Sequence, residues 1–291
     1  MLKSAASDAL VLCDDAELGS ITGDTVVTRQ TVAEWPMSWT QKVMFSSGRT
    51  FAYKAMLPPL VESEFYAAGP SPLLPGYHHV GEFNYCANIL VEWIDSPSLA
   101  DLELDEAELL THATNVVARI GEMTQDSPTY LDVGTPEKWS SEAAATLDKL
   151  RRLASDGRFA STMSMAVDVL QPWVLSTEVL DVVAAHSRLV HRDLKPAHIF
   201  PTGNGYRVID WQVPAIAPAD VDLVWLLEEA GIDSFPHVDP VTYGIAFFLH
   251  LRWATVAQHD FFPGFVTPLF EGWANDALTA LARAREAVGS P

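Results

Sequence analysis

The sequence predicts an α+β fold with a strand-rich N-terminal part and a helix-rich C-terminal part. Short apolar runs alternate with turn residues over roughly the first ninety positions, which is typical of antiparallel strands. From residue 105 onward, apolar residues recur at spacings of three and four, which indicates amphipathic helices. The character of the chain changes after Asp95-Ser96-Pro97. We therefore expect two domains, residues 1–94 and residues 95–291.

The N-terminal elements can be assigned in chain order. Two apolar runs, 42–45 and 50–56, flank Ser46-Ser47-Gly48-Arg49, and this pattern predicts a β-hairpin with a four-residue turn. A short helix over residues 60–68 is expected next. After a Pro- and Gly-rich stretch, the apolar run 88–94 predicts a buried strand.

The C-terminal part is expected to be mainly helical. Apolar periodicity predicts four helices, over residues 105–125, 140–154, 162–174 and 177–185. Leu189-Val190 then predicts a short strand. A second strand, residues 206–209, follows the turn Thr202-Gly203-Asn204-Gly205.

Charge limits the classes of partner. The chain has 18 basic and 38 acidic residues, and its formal net charge is −20. Such a field repels nucleic acid and attracts cations, so we expect no nucleic-acid partner and a small-molecule substrate that is cationic. An acidic surface that serves only solubility is the alternative.

Several kinds of protein are disfavoured by the remaining composition. No apolar run reaches the ~20 residues that a membrane span requires, and the N-terminus lacks the apolar core of a signal peptide. Cys13 and Cys86 are too few for a disulfide framework or a zinc cluster. We expect a cytoplasmic protein without membrane contact, either a monomer or a homodimer.

The residues that predict a reaction lie between positions 191 and 211. The run His191-Arg192-Asp193-Leu194-Lys195-Pro196-Ala197-His198 is followed by Val208-Ile209-Asp210-Trp211. Phosphoryl transfer from a nucleotide needs a group that orients the attacking hydroxyl, a cation near the transferred phosphoryl group, and metal ligands. This stretch supplies all three kinds of group and therefore predicts a phosphotransferase.

The same stretch resembles the catalytic loop of the protein-kinase-like superfamily. Ala217-Pro218-Ala219-Asp220-Val221-Asp222-Leu223-Val224 is similar to a downstream element of the aminoglycoside phosphotransferase-like family. Three features differ from protein kinases: 193 − 54 = 139 residues separate Lys54 from Asp193, Trp211 follows Asp210, and no Ala-Pro-Glu element is present. The specific match covers residues 187–224. The resemblance implies a bilobal protein-kinase-like fold, with an antiparallel-sheet N-lobe, a mainly helical C-lobe and a nucleotide between them.

The resemblance also implies roles for the residues of the loop. Asp193 would align and deprotonate the acceptor hydroxyl, and Lys195 would neutralise charge on the γ-phosphate. Asp210 and His198 would hold the divalent metal. His191 and Asp222 would support the loop.

Four N-terminal residues match nucleotide-binding positions by the same resemblance. Lys54 would contact the α- and β-phosphates and would be braced by Glu62, with Glu64 as the alternative. Glu92 would open the hinge segment that holds the base of ATP or GTP through backbone groups. Residues 28–40 contain no glycine where a phosphate-covering loop is expected, and Ser38 is the candidate there.

His198 stands where the superfamily motif has Asn. Mg²⁺ prefers oxygen ligands, whereas imidazole suits softer ions such as Mn²⁺. His198 could bind the metal directly, bind it through a water, or only orient Asp193. Macrolide phosphotransferases look similar at this position, so the change is compatible with activity.

The acceptor site is expected among the C-terminal helices. Residues 247–273 are rich in aromatic side chains, which build either a core or a pocket. The candidate substrate-binding residues are Asp220, Glu228, Glu229, Asp260 and Trp253. The predicted function is phosphorylation of a hydroxyl on a small molecule, with an antibiotic (aminoglycoside, nucleoside or macrolide type) as the first choice, in resistance or biosynthesis. The alternatives are a catalytically silent nucleotide-binding protein, a metabolite kinase and a protein kinase.

Overall fold

The computed structural model describes residues 10–123, 127–160 and 162–289. These residues form two compact units that interleave along the chain. The first unit contains the described residues up to 104, together with 127–130 and 196–214, and the second contains the rest. The domain boundary expected after residue 94 stays a prediction; in space, residues 95–104 pack with the first unit.

The first unit is built on a five-stranded sheet in which every neighbouring pair is antiparallel. The strand order is β1-β2-β3-β5-β4. The strands are β1 (Val26–Trp35), β2 (Ser38–Phe45), β3 (Thr50–Met56), β4 (Tyr77–Phe83) and β5 (Cys86–Glu92).

The predicted hairpin is present as β2 and β3, joined by the four turn residues. The region expected to be a phosphate-covering loop is a second hairpin, because β1 and β2 pair up to the two-residue turn Pro36-Met37. The sequence did not predict β4. This edge strand is half-exposed and has a register shift between His79 and Gly81, so it lacks a regular apolar alternation.

Among the described residues of the first unit, two segments are α-helical. Helix α1 (Asp15–Thr22) begins with a capping box between Asp14 and Glu17, and its Leu18 is buried in the core of the sheet. Helix α2 (Glu62–Ala67) follows β3 and has a buried face. The unit also contains the hairpin of β8 (Ile199–Thr202) and β9 (Gly205–Val208).

The second unit is mainly helical. Its helices are α3 (Glu106–Gly121), α4 (Pro136–Ser155), α5 (Thr162–Val174), α6 (Thr177–His186), α7 (Val221–Glu229), α8 (Pro240–Val256) and α9 (Thr267–Ala287), and a π-helical turn (Ala257–Phe261) extends α8. Strand β10 (Ala215–Pro218) pairs antiparallel with β7 (Ser187–Val190) and parallel with β6 (Leu131–Asp132).

Helix α8 is the core of this unit, since nearly all its residues are buried. Gly244 lies in its middle because a Cβ there would come within 2.6 Å of the Trp173 ring. Phe248 and Phe270 are fully buried, so much of the aromatic-rich C-terminal stretch forms core. None of the helices in the described part of the chain combines the length and the hydropathy that a membrane span requires. The predicted α+β class is confirmed.

Candidate active site

The loop after β7 is held by one buried carboxylate. Asp222, near the start of α7, accepts the backbone N–H of His191 at 2.6 Å and that of Arg192 at 2.8 Å. Burial raises the pKa of Asp222 to about 7, although the two N–H donors act in the opposite direction. Arg192 has a φ of +68°, a conformation that non-glycine residues rarely adopt. The two hydrogen bonds hold this strained residue in place.

A carboxylate and an ammonium group lie next to each other on this loop. Lys195 Nζ lies 3.1 Å from Asp193 Oδ1, and both side chains are partly exposed. The backbone N–H of Asp193 donates to Nδ1 of the fully buried His191 at 3.3 Å. The backbone is therefore fixed from two sides, while the Asp193 carboxylate remains accessible.

In the first unit, a buried lysine is shared between two carboxylates. Lys54 Nζ, on β3, lies 2.6 Å from Glu62 Oε1 and 2.5 Å from Asp210 Oδ1. Burial lowers the pKa of Lys54, but Asp210 and Glu62 raise it by more, so it lies above its ordinary value and the ammonium stays charged. Of the two candidate glutamates, Glu62 contacts Lys54, and Glu64 is exposed. We call Lys54, Glu62 and Asp210 the Lys54 cluster.

The Lys54 cluster has two acids for one base. Burial raises the pKa of Glu62 to about 7, because the nearby Lys54 only partly offsets it and Asp210 adds to it. This cluster would therefore be stabilised by a further positive charge next to Asp210.

Asp210 and His198 lie side by side at the base of the β8–β9 hairpin. His198 Nε2 is 3.6 Å from Asp210 Oδ2, and the Ile209 N–H donates to the His198 carbonyl oxygen at 3.0 Å. Gln212 Nε2 also donates to Asp210 Oδ1 at 3.0 Å. One carboxylate oxygen and one imidazole nitrogen are suitable donors for Mn²⁺, and for Mg²⁺ if His198 acts through water.

Helix α2 is tied to the segment that follows Asp210. The Trp211 ring stacks on Phe65 at 4.4 Å between centroids, and its Nε1 donates to the Val208 carbonyl oxygen at 2.9 Å. The Val61 N–H donates to the Gln212 carbonyl oxygen at 3.1 Å. These contacts fix Glu62 and Asp210 relative to each other.

The other two predicted nucleotide-binding residues lie at strand ends. Ser38 is the buried first residue of β2 and follows the Pro36-Met37 turn directly. Glu92 ends β5; its Oε2 accepts the Gly76 N–H at 3.1 Å, and its own N–H donates to the Gly76 carbonyl oxygen. The Glu92 side chain thus anchors the Pro- and Gly-rich stretch.

The predicted substrate-binding acids lie on different elements. Glu228 accepts the N–H and the hydroxyl of Ser234, and Asp260 pairs with Lys149 and His259. Asp220 lines a groove of about 300 Å³ with Arg188 and residues of α3. Glu229 is exposed at the end of α7, and half-buried Trp253 packs against Phe261 with ring centroids 6.3 Å apart.

Three half-buried rings lie near the loop that Asp222 holds. The Trp225 and His250 centroids are 4.8 Å apart, and those of His250 and Trp273 are 5.8 Å apart. We call these three residues the aromatic wall. The Arg192 guanidinium donates to the Leu249 carbonyl oxygen at 3.4 Å, next to His250. Burial, with a contribution from the Arg192 charge, lowers the pKa of His250 to about 4, so this ring is neutral at pH 7.

Sequence reasoning did not single out Trp225. Asp222, Trp225 and Glu229 have the spacing i, i+3 and i+7, which puts them on one face of α7. This spacing from Asp222 was the signal that could have identified it.

Comparison with known proteins gives the same assignment for most of the chain. The model of the phosphotransferase enzyme family matches residues 55–259, more than half of the sequence, and this confirms the resemblance to aminoglycoside phosphotransferase-like proteins. A search of curated protein sequences finds no match.

Solved structures of small-molecule kinases share the fold. A choline/ethanolamine kinase family protein from Mesorhizobium loti has a TM-score of 0.61 at 13% identity, covering 94% of this chain and 93% of its own. A spectinomycin phosphotransferase in complex with ADP and spectinomycin has a TM-score of 0.58 at 10% identity, covering 93% and 97%. A macrolide 2′-phosphotransferase from Brachybacterium faecium has a TM-score of 0.55 at 15% identity, covering 91% and 95%. Together with the family match, the loop held by Asp222 and the buried Lys54 cluster assign the chain: it belongs to the phosphotransferase enzyme family.

Proposed function

We propose that this protein transfers the γ-phosphoryl group of ATP or GTP to a hydroxyl group of a small molecule. The observation that carries the proposal is the loop held by Asp222, in which the accessible carboxylate of Asp193 lies 3.1 Å from the Lys195 ammonium. A carboxylate can orient a hydroxyl group, and an ammonium group beside it can neutralise charge on a phosphoryl group. This pair on a rigid backbone therefore suits phosphoryl transfer.

Asp193 accepts a hydrogen bond from the acceptor hydroxyl and takes its proton as the oxygen attacks the γ-phosphorus. The bond between the γ-phosphorus and the bridging oxygen breaks, and ADP or GDP leaves. Lys195 donates to the transferred phosphoryl oxygens, where negative charge must be balanced in the transition state. Arg192 does not contact the phosphoryl group in this proposal, because its guanidinium bonds to the Leu249 carbonyl oxygen.

Lys54 contacts the nucleotide phosphates, and Glu62 holds it there. Asp210 and His198 would hold the divalent metal, whose bound charge would neutralise the phosphate oxygens. The excess acid of the Lys54 cluster supports this proposal, because a cation next to Asp210 would balance it. The ADP bound to spectinomycin phosphotransferase supports nucleotide use.

The acceptor is proposed to lie against the aromatic wall. Tryptophan faces attract organic cations and pack on flat apolar rings. Glu229, one turn beyond Trp225 on α7, adds an exposed carboxylate to the same face. We therefore propose an acceptor alcohol that carries an amine group, and among the first compounds to try are amine-bearing antibiotics.

The test is mass spectrometry of candidate alcohols after incubation with the protein, ATP or GTP, and Mg²⁺ or Mn²⁺. We expect one compound to gain one phosphate, and we expect Asp193→Asn to reduce kcat at least about a hundredfold with little change in ATP affinity. Asp276→Asn, an exposed acid on α9, is the matched control and should keep full activity.

A second outcome would contradict phosphotransfer. If the protein bound ATP tightly but formed no product from any class of alcohol with either metal, the silent nucleotide-binding alternative would replace the proposal. Equal turnover by Asp193→Asn and the unsubstituted protein would refute the role of Asp193.

A further inference from the structure

The hydroxyl group of Tyr66 is buried, and the proposed phosphotransfer reaction gives it no role. Tyr66 is 1% exposed, and its ring stacks on Tyr77 with centroids 5.7 Å apart. Its Oη has no hydrogen-bond partner among the residues that the structure describes. Buried hydroxyl groups are nearly always paired, so an unpaired one needs an explanation.

Tyr66 lies on the same face of α2 as Glu62. The two residues are one helical turn apart, at i and i+4, and both are fully buried. Helical side chains lean toward the N-terminus of the helix, so the Tyr66 ring lies over the turn that contains Glu62. The hydroxyl is thus located next to the Lys54 cluster.

The electrostatics agree with this geometry. Burial raises the pKa of Tyr66 well above its ordinary value, and the charges of Glu62 and Asp210 raise it further. The phenol group therefore stays protonated. A hydrogen bond from its hydroxyl to a carboxylate would stabilise it.

The Lys54 cluster needs such a donor once a nucleotide binds. The Lys54 ammonium now serves both Glu62 and Asp210, at 2.6 and 2.5 Å. When Lys54 turns toward a phosphate, its attraction to the buried Glu62 carboxylate weakens. The cluster contains no second cation that could replace it. A buried carboxylate with a weakened partner is unfavourable unless another donor replaces it.

We propose that Tyr66 is a positioning residue for nucleotide binding: its hydroxyl donates to Glu62 when Lys54 engages the phosphates, so that Glu62 can keep holding Lys54. The inference rests on the proposed function. It implies that the unpaired hydroxyl is a feature of the nucleotide-free protein.

The experiment compares Tyr66→Phe with Tyr77→Phe. Tyr66→Phe removes one oxygen and keeps the ring stack, and Tyr77→Phe makes the same change in the half-exposed partner ring. For Tyr66→Phe we expect the KM for ATP to rise at least about tenfold, the size of one hydrogen bond to a charged group. The kcat at saturating ATP and the KM for the acceptor should change less than about twofold. Tyr77→Phe should leave all three constants unchanged.

A double-mutant cycle separates this role from a structural one. In a Glu62→Gln background, Tyr66→Phe should have a much smaller effect on the KM for ATP, because the amide oxygen that remains accepts only a weaker, uncharged hydrogen bond. A partly misfolded variant would lose kcat without changing the KM, so poor folding cannot imitate the expected result.

The outcomes for the two proposals differ. An active unsubstituted protein whose KM for ATP is the same in Tyr66→Phe would overturn the positioning role and leave phosphotransfer intact. An equal effect of Tyr66→Phe with and without Glu62→Gln would also overturn it. An inactive unsubstituted protein that binds ATP would instead refute phosphotransfer.

Discussion

Among single residues, two buried carboxylates hold the backbone and the lysine of the candidate site in place. Asp222 holds two successive backbone N–H groups, and Glu62 holds the ammonium of Lys54. Each carboxylate is fully buried and each has a raised pKa, which shows that burial is only partly compensated. Residues of this kind fix geometry at the expense of stability, as is common at functional sites.

The aromatic wall also allows a prediction for a single residue. Trp225→Leu keeps an apolar side chain but removes the indole face next to His250. We expect the KM for an amine-bearing acceptor to rise about three- to thirtyfold, the range of a cation–π contact, while the KM for ATP stays the same. Steady-state kinetics with each substrate varied in turn would measure both constants.

Trp253→Leu is the comparison for Trp225→Leu. Trp253 is also half-buried, but it packs against Phe261 at the π-helical turn. If the acceptor KM rose for Trp253→Leu and not for Trp225→Leu, the aromatic wall would be the wrong location for the acceptor.

Among the helices, α8 is packed so closely that only a small residue fits at its centre. Its nearly complete burial removes the amphipathic pattern by which helices are usually identified. Gly244 is unfavourable for a helix interior, yet the Trp173 ring occupies the space where a Cβ would stand. The packing of neighbouring elements therefore overrides helix propensity at this position.

Two glycine substitutions test this explanation. Gly244→Ala should destabilise the protein by about 1–3 kcal/mol, because the added methyl overpacks a full core. Gly272→Ala, in α9 with nothing within 4 Å of its Cβ position, should instead stabilise it by about 0.5–1 kcal/mol. Urea unfolding would measure both free energies, and the same sign for the two variants would contradict the explanation.

At the scale of the whole molecule, charge and burial act together on stability. The net charge of −20 causes self-repulsion that grows as carboxylates ionise. Glu62 and Asp222 have folded-state pKa values of about 7, above the ordinary values of 4.5 and 3.8. The folded protein therefore binds more protons than the unfolded chain at these two sites, and stability is lost as pH rises toward and through about 7.

We expect the protein to be more stable at pH 5.5 than at pH 8. His250 acts in the opposite direction, since its folded-state pKa of about 4 lies below the ordinary 6.5, but it is one group against two. The free energy of unfolding at both pH values, with and without 0.5 M salt, measures the effect. Salt screens surface repulsion much more than buried groups, so a pH difference that persists in salt reports Glu62 and Asp222. A Glu62→Gln, Asp222→Asn variant should lose that remainder, and an unchanged remainder would contradict the assignment.

The fold class and the kinds of side chain at the candidate site could be predicted from the sequence alone. Apolar spacing identified the 50–56 strand and the helix Thr162–Val174, because local periodicity reflects one buried face. The run from His191 to Asp210 identified the phosphotransferase chemistry, since contiguous motifs keep their functional groups at fixed separations along the chain.

The contacts between residues distant in sequence could not be predicted and are known from the folded structure. In the structure, Glu62 and not Glu64 contacts Lys54, and the Trp225 ring packs near His250. Glu228 and Asp260 pair with other residues of the chain. The Tyr66 hydroxyl is buried beside two carboxylates. The reason is physical: burial and pairing depend on which elements pack together, and side chains that are adjacent in space carry no common signal along a single sequence.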